Sequence, residues 1–194
     1  MKKKRVGVRL FKAFVLCILL LGIVGVAAGG VFVKHVIDNT PEVTAKDILP
    51  QGYTTSIVDQ NGTVLEQLKD SDSNRVYKKY DEISKYMGDA FVAIEDERFY
   101  KHNGIDLQGI IRAGVVGVTH GFHFTEGAST LTQQLIKNNV FPNFVNETNS
   151  ERFERKIQEQ YLALKIEKQM SKKEILEAYM NTINLGQGCL GVQT

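Results

Sequence analysis

The sequence predicts a mainly α-helical protein, with one N-terminal transmembrane helix followed by a helical domain that contains little strand. Three observations lead there. Ala13 to Val33 is 21 residues without a charge. Beyond residue 80, apolar residues recur at helical spacing rather than alternating. The clearest strand signal is a short stretch around Asn61-Gly62.

The apolar run comes first. As a helix it spans about 32 Å, close to the ~30 Å hydrocarbon core of a bilayer. Lys2, Lys3, Lys4, Arg5, Arg9 and Lys12 give the first twelve residues a charge of +6; taken from the net +2, this leaves the remainder at −4. A basic flank of this kind places the N-terminus in the cytoplasm and the rest of the chain outside. A signal peptide cleaved after Ala28 is the rival reading; the length of the run favours a retained anchor, and both readings put the body outside the cytoplasm. The expected organisation is a basic tail over 1–12, an anchor over 13–33, an extracytoplasmic linker with a hairpin over 34–74 and the folded domain over 75–194.

Composition excludes several classes. At 194 residues, 43% hydrophobic and 24% charged, the chain has room for one ordered domain beside the anchor. The outer part is net acidic, which argues against nucleic acid as a partner. Cys17 lies inside the apolar run, so no bridge to Cys189 and no zinc framework is expected. His120 and His123 have a spacing that could ligate a metal, but no acid or cysteine cluster accompanies them, and an exposed loop is the expected reading.

Along the outer part, Ser56 to Leu65 reads as a β-hairpin turning at Asn61-Gly62. Asp81 is placed to cap a helix with Ile83, Met87, Ala90, Phe91 and Ile94 on its apolar face, running up to Glu95. A second helix is expected from Leu107 to Val118. The loop from His120 to Glu126 either tucks Phe122 and Phe124 into the core or forms a flap that touches lipid. Thr130 to Gln133 matches a capping box. An amphipathic run from Phe153 to Met170 carries Ile157, Tyr161 and Leu164 on one face. Ser171 to Glu174 is a further capping box, opening a helix through Asn181, where Glu177, Tyr179 and Asn181 are expected to fix the helix to its neighbours. Gly186, Gly188 and Gly191 mark a glycine-rich turn.

Three stretches could carry chemistry. Glu95 to Gly104 reads EDERFYKHNG. If helical, Glu95, Phe99 and His102 share a face, and an acid desolvated beside an aromatic ring suits a general base; a solvated helix end is the alternative. Gly127 to Asn138 reads GASTLTQQLIKN, where a glycine turn opens a helix start whose N–H groups could hold phosphate oxygens. Thr130, Gln134 and Lys137 fall along one face there; a capped helix with a solvated lysine is the alternative. Arg155 and Glu159 form an i, i+4 pair that is either a surface ion pair or a second carboxylate facing the first across a cleft.

These stretches, with RKIQE (Arg155 to Glu159) and ILEAYMN (Ile175 to Asn181), resemble in order and spacing the glycosyltransferase domain of class A penicillin-binding proteins and monofunctional transglycosylases. The likeness runs from about residue 57 to 194. It implies a lysozyme-like helical fold and a membrane-bound inverting transferase in bacterial cell-wall biosynthesis. In that reaction lipid II and a growing lipid-linked glycan strand are joined with loss of undecaprenyl pyrophosphate. By motif, Glu95 is implied as the base that deprotonates the acceptor hydroxyl and Glu159 as a second acid on the donor side. Lys137 is implied to neutralise the departing pyrophosphate, with Arg155 and Lys156 nearby in the substrate site. Ser129, Thr130, Gln133, Gln134 and Asn138 are implied to line the donor cleft, and Asp96, Phe99 and His102 to support Glu95. Magnesium held through the pyrophosphate, and other proteins of the cell-wall machinery, are implied partners.

Two departures stand out. Glu151 occupies a position where the family has an arginine, which leaves Arg152 as the substitute phosphate ligand. The family's domain also continues beyond the position of Thr194, so a truncated product or a fragment is expected. An inactive, anchored lipid II-binding module and a lysozyme-like glycan hydrolase are the competing readings. The hydrolase would need a carboxyl acting as general acid, and its substrate has no pyrophosphate for Lys137.

Overall fold

The computed structural model describes residues 2–68, 75–121, 127–141 and 144–193. The chain divides into two units, Met1–Pro41 and Glu42–Thr194. The first is helix α1, Lys2–Asp38. Its stretch Phe11–Asp38 has a mean hydropathy of 2.7 and is long and apolar enough to cross a membrane. From Phe11 to Val33 its side chains are exposed, as expected for a helix whose apolar surface is matched to hydrocarbon.

The second unit starts earlier than the linker reading implies, because Val43 and Ile48 are buried in its core. Strands β1, Thr55–Val58, and β2, Val64–Leu68, pair antiparallel as the expected hairpin, with a bulge between Ile57 and Val58. The turn forms because Gly62 takes φ +83° and the Asp59 carboxylate accepts from the N–H groups of Asn61 and Thr63, both at 2.8 Å.

The rest is helical. Helix α2 is Lys85–Glu95, α3 Leu107–Thr119, α4 Leu131–Val140, α5 Asn149–Ile166 and α6 Lys172–Thr182. Short 3₁₀ turns lie at Tyr80–Glu82, Phe99–Lys101 and Phe144–Asn146. The core is built mainly by α4, α5 and α6: Leu131, Leu135 and Ile136 meet Leu162, Ala163 and Ile166 and Ile175, Leu176 and Tyr179. Helix α3 turns Gly109, Ala113 and Gly117 inward and leaves Leu107, Ile111, Val115 and Val118 exposed.

Several local expectations are corrected. Asp81 does not cap α2; it sits in the first 3₁₀ turn and accepts from Lys173 Nζ at 2.8 Å, while Ser84 holds the cap position. The inward face of α2 is Gly88 and Val92, so Ile94 points out and is 80% exposed. On α5 the buried face is Arg155, Glu159, Leu162, Ala163 and Ile166, and Leu164 lies outside it. Helix α5 begins with a capping box that the sequence reading overlooked, Thr148 with Glu151. This explains the departure at Glu151: the acid closes the helix start, a contribution of about 1 kcal/mol. The Ser171–Glu174 box on α6 forms as expected. So do the anchoring contacts of that helix: Glu177 accepts from Tyr77 and from the Tyr80 N–H, and Asn181 bonds both backbone groups of Lys78. The loop residues Phe122, His123 and Phe124 lie outside the described residues.

Candidate active site

Helix α2 stops at Glu95 because Asp96 leaves helical geometry, with φ −159° and ψ 71°. Adjacent carboxylates therefore part. Glu95 is exposed, and Asp96 is 6% exposed. Asp96 accepts from the Leu131 N–H at 3.0 Å and pairs with His102 Nε2 at 2.9 Å. His102 Nδ1 accepts from the Gly104 N–H at 3.2 Å, which leaves Nε2 as the donor to Asp96. The Gly104 carbonyl in turn accepts from Thr130 Oγ1 at 2.9 Å and Gln133 Nε2 at 3.0 Å. Gly104 has φ +91°, and a Cβ there would lie 2.8 Å from the Ala163 carbonyl carbon and oxygen. The loop from 96 to 104 is thus bonded directly to the start of α4.

That bonding changes the expected roles. Glu95, Phe99 and His102 do not share a helical face; Phe99 is fully buried in the core, and Glu95 is not desolvated against it. The capping box at Thr130 is half formed: Thr130 Oγ1 accepts from the Gln133 N–H, but the Gln133 side chain goes to Gly104. With the Leu131 and Gln133 N–H groups already bonded, the start of α4 does not present them to an anion.

Glu95 instead meets α4 one turn on. Gln134 Nε2 donates to Glu95 Oε2 at 2.8 Å, and Tyr179, buried, donates its hydroxyl to Gln134 Oε1 at 3.3 Å. The bond fixes the carboxylate at the edge of a cavity of about 370 Å³, lined by Ile94, Glu95, Gly127, Ser129, Gln134, Lys137 and Lys156. Lys156 Nζ donates to Ser129 Oγ at 3.0 Å and to Glu159 Oε2 at 2.8 Å. Arg155 bonds Glu159 through Nη1 and donates from Nε to Glu147 at 2.6 Å. Glu159 has no exposed surface, so the pair is not a surface ion pair; both oxygens of Glu159 are taken by cations.

The cleft sets two lysines, Lys137 and Lys156, beside the exposed carboxylate of Glu95. Partial burial pushes the Lys137 ammonium below the usual lysine range, and the charges of Lys156 and Arg155 add to this against Glu159 and Glu95. An anion set between Lys137 and Lys156 would relieve that repulsion. Lys137 also stands 4.8 Å over the Phe144 ring, and Arg155 lies 5.7 Å from the same ring.

Of the sequence-predicted residues, the structure gathers Glu95, Ser129, Gln134, Lys137 and Lys156 in the cleft. Thr130 and Asp96 line a smaller recess that shares Glu95 and Ser129 with it. Asp96, His102, Gln133, Arg155 and Glu159 stand behind the cleft as partners of other groups, and Asn138 and Arg152 do not line it. Sequence reasoning missed Glu147, Phe144 and the orienting contact of Tyr179 on Gln134. No spacing rule connects Glu147 to Arg155 eight residues on, because the link runs through the turn before α5.

Together these features define a class: a mainly helical domain with a carboxylate–lysine cleft, in a chain that begins with an apolar helix of membrane-spanning length. Residues 61–194 match the transglycosylase family. The chain belongs to that family. It is 41% identical over 187 residues to penicillin-binding protein 1A of Clostridium perfringens (strain 13 / Type A), a match covering 95% of this chain and 26% of that protein. It is 41% identical over 160 residues to penicillin-binding protein 1A of Clostridium novyi (strain NT), covering 81% of this chain and 18% of the relative. Penicillin-binding protein 1A/1B of Bacillus subtilis (strain 168) is 35% identical over 190 residues, 98% of this chain and 20% of that protein. The chain thus spans between 18% and 26% of the length of these relatives.

Proposed function

We propose that the chain is a peptidoglycan glycosyltransferase domain, held in the plasma membrane with its N-terminus cytoplasmic, that polymerises lipid II outside the cytoplasm and releases undecaprenyl pyrophosphate. The observation that carries this reading is the meeting of Glu95, Lys137 and Lys156 in one cavity within the family-matched segment. Transfer from a pyrophosphate donor needs a base for the incoming hydroxyl and positive charge for the leaving group, which departs as an anion without being protonated.

In this reading Glu95, aimed by Gln134, takes the proton of the acceptor sugar's 4-hydroxyl as its oxygen attacks the anomeric carbon of the donor. The bond to pyrophosphate breaks from the opposite face, and Lys137 and Lys156 take up the developing charge. Glu159 is a positioning residue: it holds Lys156 toward Ser129 and the cleft without reaching it. Magnesium would ride on the pyrophosphate oxygens and add further positive charge there.

The test is polymerisation of labelled lipid II by the detergent-solubilised chain. Polymer is expected from the parent, and Glu95→Gln should lower the rate about 10²–10⁴-fold, the range of a general base. Full activity in Glu95→Gln would refute the assignment. Binding of lipid II by the parent with no turnover would favour the inactive module instead.

A further inference from the structure

Lys137, Arg155 and Lys156 stand in or behind the cleft, and two of them are matched by carboxylates. Arg155 bonds Glu159 and Glu147, and Lys156 donates to Glu159. Lys137 differs. Among the described residues it makes no ion pair, and the exposed carboxylate of the cleft, Glu95, accepts from Gln134 instead. Its ammonium is held by the Phe144 ring, at 4.8 Å from the centroid. That is inside the range of about 6 Å over which a ring face attracts a cation. The ring is fixed in turn. Phe144 is half-buried and opens the 3₁₀ turn Phe144–Asn146, and its N–H donates to the Phe141 carbonyl at 3.3 Å. Glu147, the next residue, accepts from Arg155 Nε at 2.6 Å, which ties the turn to the helix that carries Lys156.

We infer that Phe144 is a positioning residue for Lys137: its ring holds the ammonium at the cleft and leaves the charge and the N–H groups to an anionic ligand. A ring in place of an acid has a physical reason. A carboxylate would cancel the charge of the lysine and occupy its donors, so an arriving anion would first have to displace it. A ring face attracts the cation through its quadrupole and carries no net charge, so nothing has to be displaced. The surroundings make such support useful. Partial burial, Lys156 and Arg155 disfavour the charged form of Lys137, whereas Glu159 and Glu95 favour it. Glu147, beside the ring in sequence, is already taken by Arg155. The ring therefore adds to the favourable side without adding a competitor for the ligand. Resting on the proposed glycosyltransferase reading, that ligand is the pyrophosphate of the donor.

The test is competitive acetylation of the full chain in detergent, followed across pH by mass spectrometry. It reads the protonation of Lys137 separately from its accessibility, with the exposed Lys101 as internal reference. Phe144→Leu keeps an apolar side chain and removes the ring. It should move the labelling midpoint of Lys137 to lower pH and raise the unprotonated fraction below that midpoint about 2–5-fold, the factor that a cation–π contact at a partly exposed site supplies. Phe144→Tyr should restore the parent profile. A ring that only fills space would change the limiting reactivity at high pH and leave the midpoint in place, and that result overturns the proposal. A ring-fluorinated phenylalanine at position 144 keeps the shape and weakens the quadrupole. It should move the midpoint in the same direction, and an unmoved midpoint there overturns the proposal even if the leucine variant misfolds. With lipid II as substrate, the alkaline limb of kcat should follow the labelling midpoint in each variant. A limb that stays fixed while the midpoint moves overturns pyrophosphate as the ligand, whereas no polymer from the parent counts against the glycosyltransferase reading and leaves the labelling to decide the role of the ring.

Discussion

Replacing Glu159 by leucine separates its structural role from a role in contact with substrate. The side chain has no exposed surface and accepts from two cations, Arg155 and Lys156. Leucine has a similar volume, so the cavity term is small and the loss is mainly that of stranding two buried partners. Removing one member of a buried pair costs about 3–5 kcal/mol. Two features place this case at the lower end. Arg155 keeps Glu147 as a partner, and Lys156, 38% exposed, can be rehydrated. The expected loss is about 3 kcal/mol, or roughly 6–12 °C in Tm for a unit of this size. Thermal melting of the detergent-solubilised chain, followed by near-UV circular dichroism, reads it. Glu159→Gln keeps the shape and part of the hydrogen bonding and should lose about half as much. A leucine variant within about 1 kcal/mol of the parent would show that Glu159 does not hold these cations, and the positioning argument would fail.

Other outcomes follow from the same geometry. Gly104→Ala forces a Cβ to 2.8 Å from the Ala163 carbonyl at φ +91°, and denaturant titration should show a loss of about 2–4 kcal/mol. Lys137→Met should behave oppositely in stability and activity. The folded-state pKa of Lys137 lies below the ordinary value of 10.5, so the burden of its charge is fully present at pH below that lowered pKa. That burden is relieved as pH rises from the lowered pKa to the ordinary one, and stability rises across the same window. The methionine variant should therefore be at least as stable as the parent at pH 7 and lack the alkaline rise. Its polymerising rate should fall about 10²-fold or more through loss of leaving-group stabilisation. A variant less stable than the parent at pH 7 would contradict the account of Lys137.

The features legible in the sequence were those with local causes. The hairpin follows from Asn61-Gly62 and Asp59, and the start of α6 from Ser171 and Glu174, because each depends on contacts four or fewer residues apart. The apolar helix was legible from composition alone. The face of α2 was misjudged because apolar periodicity cannot tell a core-facing residue from an exposed one, and Ile94 and Val92 are equally apolar. The candidate site was legible in membership more than in geometry. Glu95, Gln134, Lys137 and Lys156 were named, but the contact of Glu95 with Gln134 spans 39 positions and that of Lys156 with Ser129 spans 27. Pattern could not say that Asp96 would cap α4, nor that Glu159 would be enclosed while Glu95 stayed exposed. Those outcomes depend on where α2 breaks, and one extended residue decides that.

The carbonyl of Gly104 accepts from two side chains of the α4 start, and Asp96 accepts from the backbone of the same turn. The acid-bearing loop and the lysine-bearing helix are consequently one exchange unit. In a hydrogen-exchange experiment the amides of Leu131, Gln133 and Gly104 should lose protection together, since freeing any one of them breaks the ring of bonds that shelters the others. Local opening would then pull the two walls of the cleft apart in a single step, so the cleft is either assembled or absent.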